Sequence, residues 1–305
     1  MLRYVLAALG LALSLAFANH AAAFGTIRSL GQNAEHERIT RAALADFAPL
    51  TLDEIAGKNG TFGAVGAPDH PMRGLMSRHE AHCDGGDYLA TPGYGQAQAE
   101  AQRILESCRA WSFRWLEAAV AAAAPLAAPT AQNTALECAF DGAEYAGKCA
   151  VLEYLGVALH ASQDFYSHSN WSDRAAAGAT GPRNPPGLGH EGRAPWFDPR
   201  AEAAFPAGLI SGCYDGFPES FYCRGRVKHD ALNKDKGPIG DSGATGRGTT
   251  SRGRINGNFE RAVAAAIADT ADKWLYFQER VRAVYGEEAG ARIICVVRSD
   301  AWEGC

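Results

Sequence analysis

Apolar and polar positions along the chain recur mainly at helical steps. In NAEHERITRAALADF, residues 33–47, the residues Ile39, Ala43, Leu44 and Phe47 fall three or four apart, which predicts a helix with an apolar inner face. Leu52 to Ala56 predicts a turn or a short helix. From Gln96 to Ala123, Ile104, Leu105, Cys108, Trp111, Trp115, Leu116 and Val120 share one side, while Glu100, Arg103 and Glu106 face water. Pro125 and Pro129 end that run. Another helix is predicted to start near Asn133, a central one to span Ala150 to Tyr166, and a last long one to span Asn258 to Tyr285. The last would bury Phe259, Val263, Ile267, Ala271, Trp274 and Phe277. Strand alternation is weak. Ser220 to Val227 reads as a short strand, and Arg292 to Val297 as either a strand or a buried closing segment. Gly178 to Pro195 reads as irregular surface chain, and Gly237 to Gly257 as a mobile lid or surface excursion. The latter lacks GxxxxGK[ST], which excludes a nucleotide-binding P-loop. These elements make a mainly α, multi-helix single domain with the central helix beside the terminal ones.

The central helix carries the chemistry. In LGVALHASQDFYSHSNWS, residues 155–172, the residues His160, Asp164 and His168 recur every fourth position. Such positions lie one turn apart, and two steps drift by only about 80° around the axis. Three candidate metal ligands therefore line one stripe of a helix that is otherwise apolar. Burying them is costly unless a charged or hydrogen-bonding partner meets them, and a divalent ion is the simplest such partner. Imidazole with carboxylate suits zinc. Asp69, His70, His79, Glu80, His82, Asp84 and Asp87 crowd a second stretch, from which at least two ligands are expected. His36 lies in the first turn of the first helix. His190 with Glu191 reads as a solvated loop pair, and His229, Asp230, Asn233 and Asp235 form a further group near the lysines of VKHDALNKDK.

Composition narrows the setting. Arg3 followed by the apolar run Tyr4 to Phe17 and small residues at 21–23 predicts a secretory signal over residues 1–23, leaving a domain at 24–305. No later run reaches the roughly 20 apolar residues of a membrane span, so a secreted or periplasmic location without a transmembrane segment is expected. The net charge is −5, or −6 without Arg3, which gives no strong nucleic-acid-binding signature. All eight cysteines lie beyond the signal. Exported, they predict disulfides, and short loops favour neighbouring pairs: 83–108, 138–149, 213–223 and 295–305. No short-spaced cysteine pair recurs, which argues against zinc fingers.

EHERITRAAL, HEAHCD, ALHASQDFYSHSNW and KHDALNKD, in that order, resemble the zinc-dependent phospholipase C and single-strand-specific nuclease superfamily, in particular its Het-C-like branch. The resemblance spans about residues 24 to 280 and implies an all-α fold, with a cluster of two or three zinc ions that cleaves phosphoester bonds. It implies that Asp69, His82, His160 and Asp164 hold one ion. Asp164 would bridge to a second, held also by His36 and main-chain groups of the new amino terminus, and His168 and His229 would serve a third. The chain departs from the family at the third site. His168 follows Asp164 more closely than in phospholipase C, and Asn233 stands where an acid usually follows the later histidine. Asp235, Glu260 and Asp269 are the candidates for that missing acid.

Such a cluster suits phosphoester hydrolysis, with Asp69 as the residue that orients or deprotonates water. Glu153, seven residues before His160, is either an acceptor behind an imidazole or a solvated acid. The first expectation is phospholipase C activity on glycerophospholipids with transient membrane-surface contact. Trp171, Trp196, Phe197, Phe205, Phe217 and Phe221 could then line an apolar mouth or insert at a lipid surface, although core packing explains any one of them more cheaply. The alternatives are a secreted nuclease or other phosphodiesterase, using Arg252 and Arg254, and a non-enzymatic metal-stabilised interaction or toxin module.

Overall fold

The computed structural model describes residues 24–29, 31–143, 146–214 and 222–305. Its described residues form eight α-helices: α1 (Glu35–Ala43), α2 (Pro49–Ala56), α3 (His79–His82), α4 (Gln98–Ala122), α5 (Lys148–His168), α6 (His229–Leu232), α7 (Asn258–Tyr285) and α8 (Glu287–Arg298). A two-residue antiparallel pair, β1 (Ile239–Gly240) and β2 (Gly243–Ala244), is the one sheet among them. The chain is thus mainly α, as the apolar spacing predicts. No helix among the described residues is long and apolar enough to cross a membrane.

Helix α5 is buried on nearly every side, the mark of a helix enclosed by others. It packs chiefly on α4, then on α7. Its first half, with Leu152 and Leu155, joins a core that includes Leu116, Phe277 and Val297. Its second half, with Val157, Ala161 and Phe165, joins another that includes Ile39, Leu105 and Val263. Gly156 lets the loop at residues 64–66 lie against the helix, because a Cβ there would meet the Ala64 carbonyl carbon at 2.3 Å. That close approach later positions a histidine.

Several sequence expectations are corrected. No helix starts near Asn133. Its side chain accepts from the Thr130 amide and donates to the Pro125 carbonyl, and the chain closes a turn after the two prolines. Arg292 to Val297 is not a strand. It belongs to α8, with Ile293, Val296 and Val297 facing inward. In the segment predicted as a strand, Ser220 and Phe221 lie outside the described residues, and 222–225 turn at Gly225, whose φ is +79°. The segment at 237–257 is no free lid. Arg252 is buried and its Nε donates to Asp173 at 2.6 Å. Trp171, Trp196 and Phe197 are core residues rather than a mouth, and Phe205 packs edge-on against Trp196 at 5.4 Å; Phe217 lies outside the described residues. The cysteines do pair as neighbours: 83–108, 138–149, 213–223 and 295–305.

The far face of α5 is fastened to α7 by a hydrogen bond to a carboxylate that is itself half of a buried ion pair within α7. Lys273 Nζ donates to Asp269 at 2.5 Å, and Ser162 Oγ donates to the same carboxylate oxygen at 2.7 Å. Both charged groups are fully buried. Asp269 is therefore engaged away from any histidine. Lys273→Met would strand the carboxylate and is expected to cost about 3–5 kcal/mol, whereas Asp269→Leu with Lys273→Met should cost far less. Urea unfolding of both variants checks this.

Candidate metal centre

Two clusters of imidazoles and carboxylates flank the C-terminal half of α5. In the first, His160 and Asp164 extend from α5, His36 from α1, His82 from α3, and Asp69 from the 3₁₀ turn Ala67–Asp69. His82 Nδ1, His160 Nε2 and Asp164 Oδ2 lie 3.0–3.1 Å from one another. Zinc bonds of about 2.0–2.1 Å place neighbouring tetrahedral ligands roughly 3.3 Å apart, so these atoms approximate one face of such a site. Asp69 Oδ1 stands farther off, 3.8 Å from both imidazole nitrogens, on the side of the fourth vertex. The other Asp164 oxygen, Oδ1, turns to His36 Nε2 at 3.1 Å.

Partners outside this cluster fix its rings. His160 Nδ1 is 2.8 Å from the Val65 carbonyl, which can only accept, so the Nδ1 carries hydrogen. In the neutral ring the Nε2 lone pair then faces Asp164. His36 Nδ1 is 2.7 Å from Gln163 Oε1, and Phe24 sets its ring edge-on against His36 at 6.0 Å. Thr26 Oγ1 donates to Asp69 Oδ2, which leaves Oδ1 for the cluster. Glu153 serves neither expected role: it is buried and paired with Arg73.

The second cluster joins His168 of α5, His229 of α6, Asp84 and Asp235. Asp84 Oδ1 lies 3.2 Å from His168 Nδ1 and 3.1 Å from His229 Nδ1. Asp235 faces the opposite nitrogens, at 3.2 Å from His168 Nε2 and 3.6 Å from His229 Nε2. Ser167 Oγ donates to Asp235, and Asn233 Oδ1 accepts from the Asp235 amide. Asn233 therefore shapes the turn that delivers the acid. Lys234, which might have been a solvated lysine, is fully buried, with Nζ bonded to the Ser169 and Leu232 carbonyls.

Cys83 separates the clusters. It ends α3 at φ 55°, ψ 28°, the left-handed region, so His82 points to one cluster and Asp84 to the other. That conformation costs a non-glycine residue about 1–2 kcal/mol. The bond to Cys108 on α4 and the contact between the His82 carbonyl and His168 Nδ1, at 3.2 Å, hold it.

All seven residues expected to ligate are thus gathered: His36, Asp69, His82, His160 and Asp164 in one place, His168 and His229 in the next. Asp84 and Asp235 supply the acids at the second; Glu260 and Asp269 do not reach it. Asp84 was visible as one acid of a crowded loop, and Asp235 as one candidate among three, but nothing in their spacing singled them out. Of the remaining histidines, His79 and His190 are exposed and His70 packs on Phe62.

The residues fit a cation. His36 Nε2, Asp164 Oδ1, His229 Nε2 and Asp235 Oδ2 are buried, face these clusters and lack hydrogen-bond partners. His36, Asp69 and His160, then His82, His160 and Asp164, then Asp84, His168 and His229, each form a group able to hold a metal ion. Exposure differs around the centre. The Asp69 and His82 side chains retain 13% and 10% of their surface and Asp84 6%, while His36, His160, Asp164, His168, His229 and Asp235 retain at most 1%. The first cluster is the more open, at the edge formed by Asp69 and His82; the second is more enclosed. No known protein family matches the chain, and no curated protein or solved structure matches it.

Without a cation the carboxylates hold protons on His160, His168 and His229. Burial pushes His160 down, but Asp164 and Asp69 outweigh it and raise it to about 9. At His229, burial and His168 lower the value while Asp84 and Asp235 raise it, again to about 9. Burial opposes ionisation of Asp235, yet His168 brings it down to about 2. Histidines raised from 6.5 to about 9 contribute stability that is complete below 6.5 and lost as pH climbs through 9. Asp235, lowered from 3.8, contributes above 3.8 and loses its effect as pH falls toward 2. Metal-free protein should accordingly melt highest between about pH 4 and pH 6.5 and progressively lower toward pH 9. Protein loaded with a divalent metal should show the opposite slope over the alkaline range, since protons no longer compete with the ion. Melting curves across pH with and without chelator measure both.

Proposed function

We propose that this chain is an exported zinc-dependent phosphoester hydrolase, acting as a phospholipase C on glycerophospholipids. The observation that supports this reading is the open edge of the first cluster. A purely structural site presents a full set of enclosed ligands, whereas a hydrolytic one keeps a position free for water or substrate. Asp69 and His82 frame such a position on an otherwise buried set of five side chains.

Bound zinc would supply an acidified water and neutralise the charge on a phosphodiester. Each chain residue then has a definable task. His82, His160 and Asp164 would hold one ion whose fourth position stays open to water beside Asp69, and His36 with the other Asp164 oxygen would hold a second. Asp69 Oδ1 stands farther off, at 3.8 Å from both imidazole nitrogens, where it would orient that water and accept its proton, while Thr26 keeps the other oxygen turned away. Val65 and Gln163 hold the His160 and His36 rings so that their lone pairs point inward. The second cluster would hold a structural ion.

Two features bear on the substrate. The loop between Asp69 and His82 carries Met72 at 87% exposure, an apolar side chain free to touch a lipid surface. The arginines suggested for a nucleic-acid track are otherwise engaged: Arg252 is buried on Asp173, and Arg254 donates to the Thr249 and Thr250 carbonyls. The four disulfides accord with export.

Release of diacylglycerol from phosphatidylcholine vesicles should be zinc-dependent and abolished by chelator. Single-stranded DNA offered under the same conditions should not be cut; the reverse pattern would make the chain a nuclease. Asp69→Asn should lower turnover by roughly 10²–10⁴-fold while His160 and Asp164 still retain zinc. Full activity in that variant would remove Asp69 from the chemistry.

A further inference from the structure

Gln163 lies between His160 and Asp164 in sequence and is fully buried. Its amide has three partners. Oε1 is 2.7 Å from His36 Nδ1, and Nε2 is 3.0 Å from Thr40 Oγ1 and 3.1 Å from Thr270 Oγ1. Thr40 stands one turn after His36 on α1, and Thr270 comes from α7. We infer that Gln163 is a positioning residue that selects the tautomer of His36 and makes cation binding at the His36–Asp164 pair reversible. The inference rests on the metal reading above.

A neutral imidazole has one N–H, and its two positions demand opposite partners. With hydrogen on Nδ1, the ring donates to the amide oxygen of Gln163. The Nε2 lone pair then faces Asp164 Oδ1 at 3.1 Å, acceptor against acceptor, and both atoms are buried without a donor. A cation between them satisfies both. With hydrogen on Nε2, the ring donates to Asp164 instead, and Nδ1 needs a donor. Gln163 provides one if its amide turns by half a rotation, bringing NH₂ to His36 and the oxygen to the threonines. Threonine hydroxyls donate or accept equally well, so the rest of the pocket serves either orientation.

Both states of the site are therefore fully hydrogen-bonded. A carboxylate in this position would offer only acceptors and would hold the metal-binding tautomer whether or not an ion were present. A hydrocarbon would support neither form. Glutamine gives the metal-free site a satisfied resting arrangement that the ion must displace, which lowers affinity and permits exchange.

The test is long-range ¹H–¹⁵N correlation of the imidazole rings in ¹⁵N-labelled protein, metal-free and with zinc, beside zinc affinities from chelator competition. In the unaltered chain, His36 should carry hydrogen on Nε2 without zinc and on Nδ1 with it. In Gln163→Glu, Nδ1 should be protonated in both states and zinc should bind about 10–100-fold tighter. Gln163→Leu should bind about 10–100-fold more weakly. The same His36 tautomer with and without zinc, a metal-free His36 protonated on both nitrogens and so donating to Gln163 and Asp164 at once, or a folded Gln163→Glu that binds no tighter, overturns the role of Gln163. Zinc bound with the predicted tautomer change but no phosphodiester cleaved refutes the hydrolase reading alone. Failure to bind zinc at all overturns both.

Discussion

Asp164 turns its two oxygens toward imidazole nitrogens on opposite sides, His36 on one and His82 with His160 on the other, where no solvent reaches. Charge so placed must be balanced locally, because the cost of leaving it bare exceeds the stability of most domains. Much of the surrounding fold follows from that demand. Helix α5 has to be enclosed on all sides, so α4 and α7 both pack along it. Each ligand has to arrive from a different element, so α1, α3 and the turn at Ala67–Asp69 converge on its C-terminal half. The reverse face of α5 bears Ser162 and meets a second buried charge pair, Asp269 with Lys273, which limits how far the helix can shift.

The helical skeleton was legible because its signals are local. Apolar spacing located α4, α5 and α7 to within a turn at each end, and the start of α7 at Asn258 and its end at Tyr285 coincide with the structure. Four-residue spacing placed His160, Asp164 and His168 on one stripe for the same reason. What escaped was set by tertiary contact. Asp84 becomes part of a cluster only because Cys83 reverses the chain in a left-handed conformation, a choice that no propensity announces. Asp235 arrives because Ser167 and Asn233 hold its carboxylate and its amide. The aromatic residues taken for a mouth were apolar enough for either role, and burial decided for the core. Arg292 to Val297 illustrates the same limit: a short apolar run fits strand or helix until its length is known, and α8 extends it toward the N-terminus.

The two clusters differ in what surrounds them, and the difference bears on their roles. Around the second, chain segments near residues 84–86, 211–213 and 228–235 meet α5 with almost no regular structure. They are joined by isolated bridges such as Ser169 with Ser211 and Cys213 with Lys228, and by Gly85 donating to the Gly212 carbonyl. Loops of this kind fold back on one another only when something crosslinks them, because ordering each residue costs about 1–2 kcal/mol of backbone entropy. The 213–223 disulfide is one crosslink, and Asp84, His168, His229 and Asp235 form another, joining three segments through one set of buried charges. Around the first cluster the supports are helices and a single 3₁₀ turn, rigid elements that do not need an ion to hold them in place. A site meant for chemistry benefits from a frame that persists while ligands come and go, whereas a site that fastens loops benefits from being shut. On the proposed reading, the opening at Asp69 and His82 and the tighter enclosure at Asp235 would be one division of labour, with Cys83 as the turn that keeps the two apart.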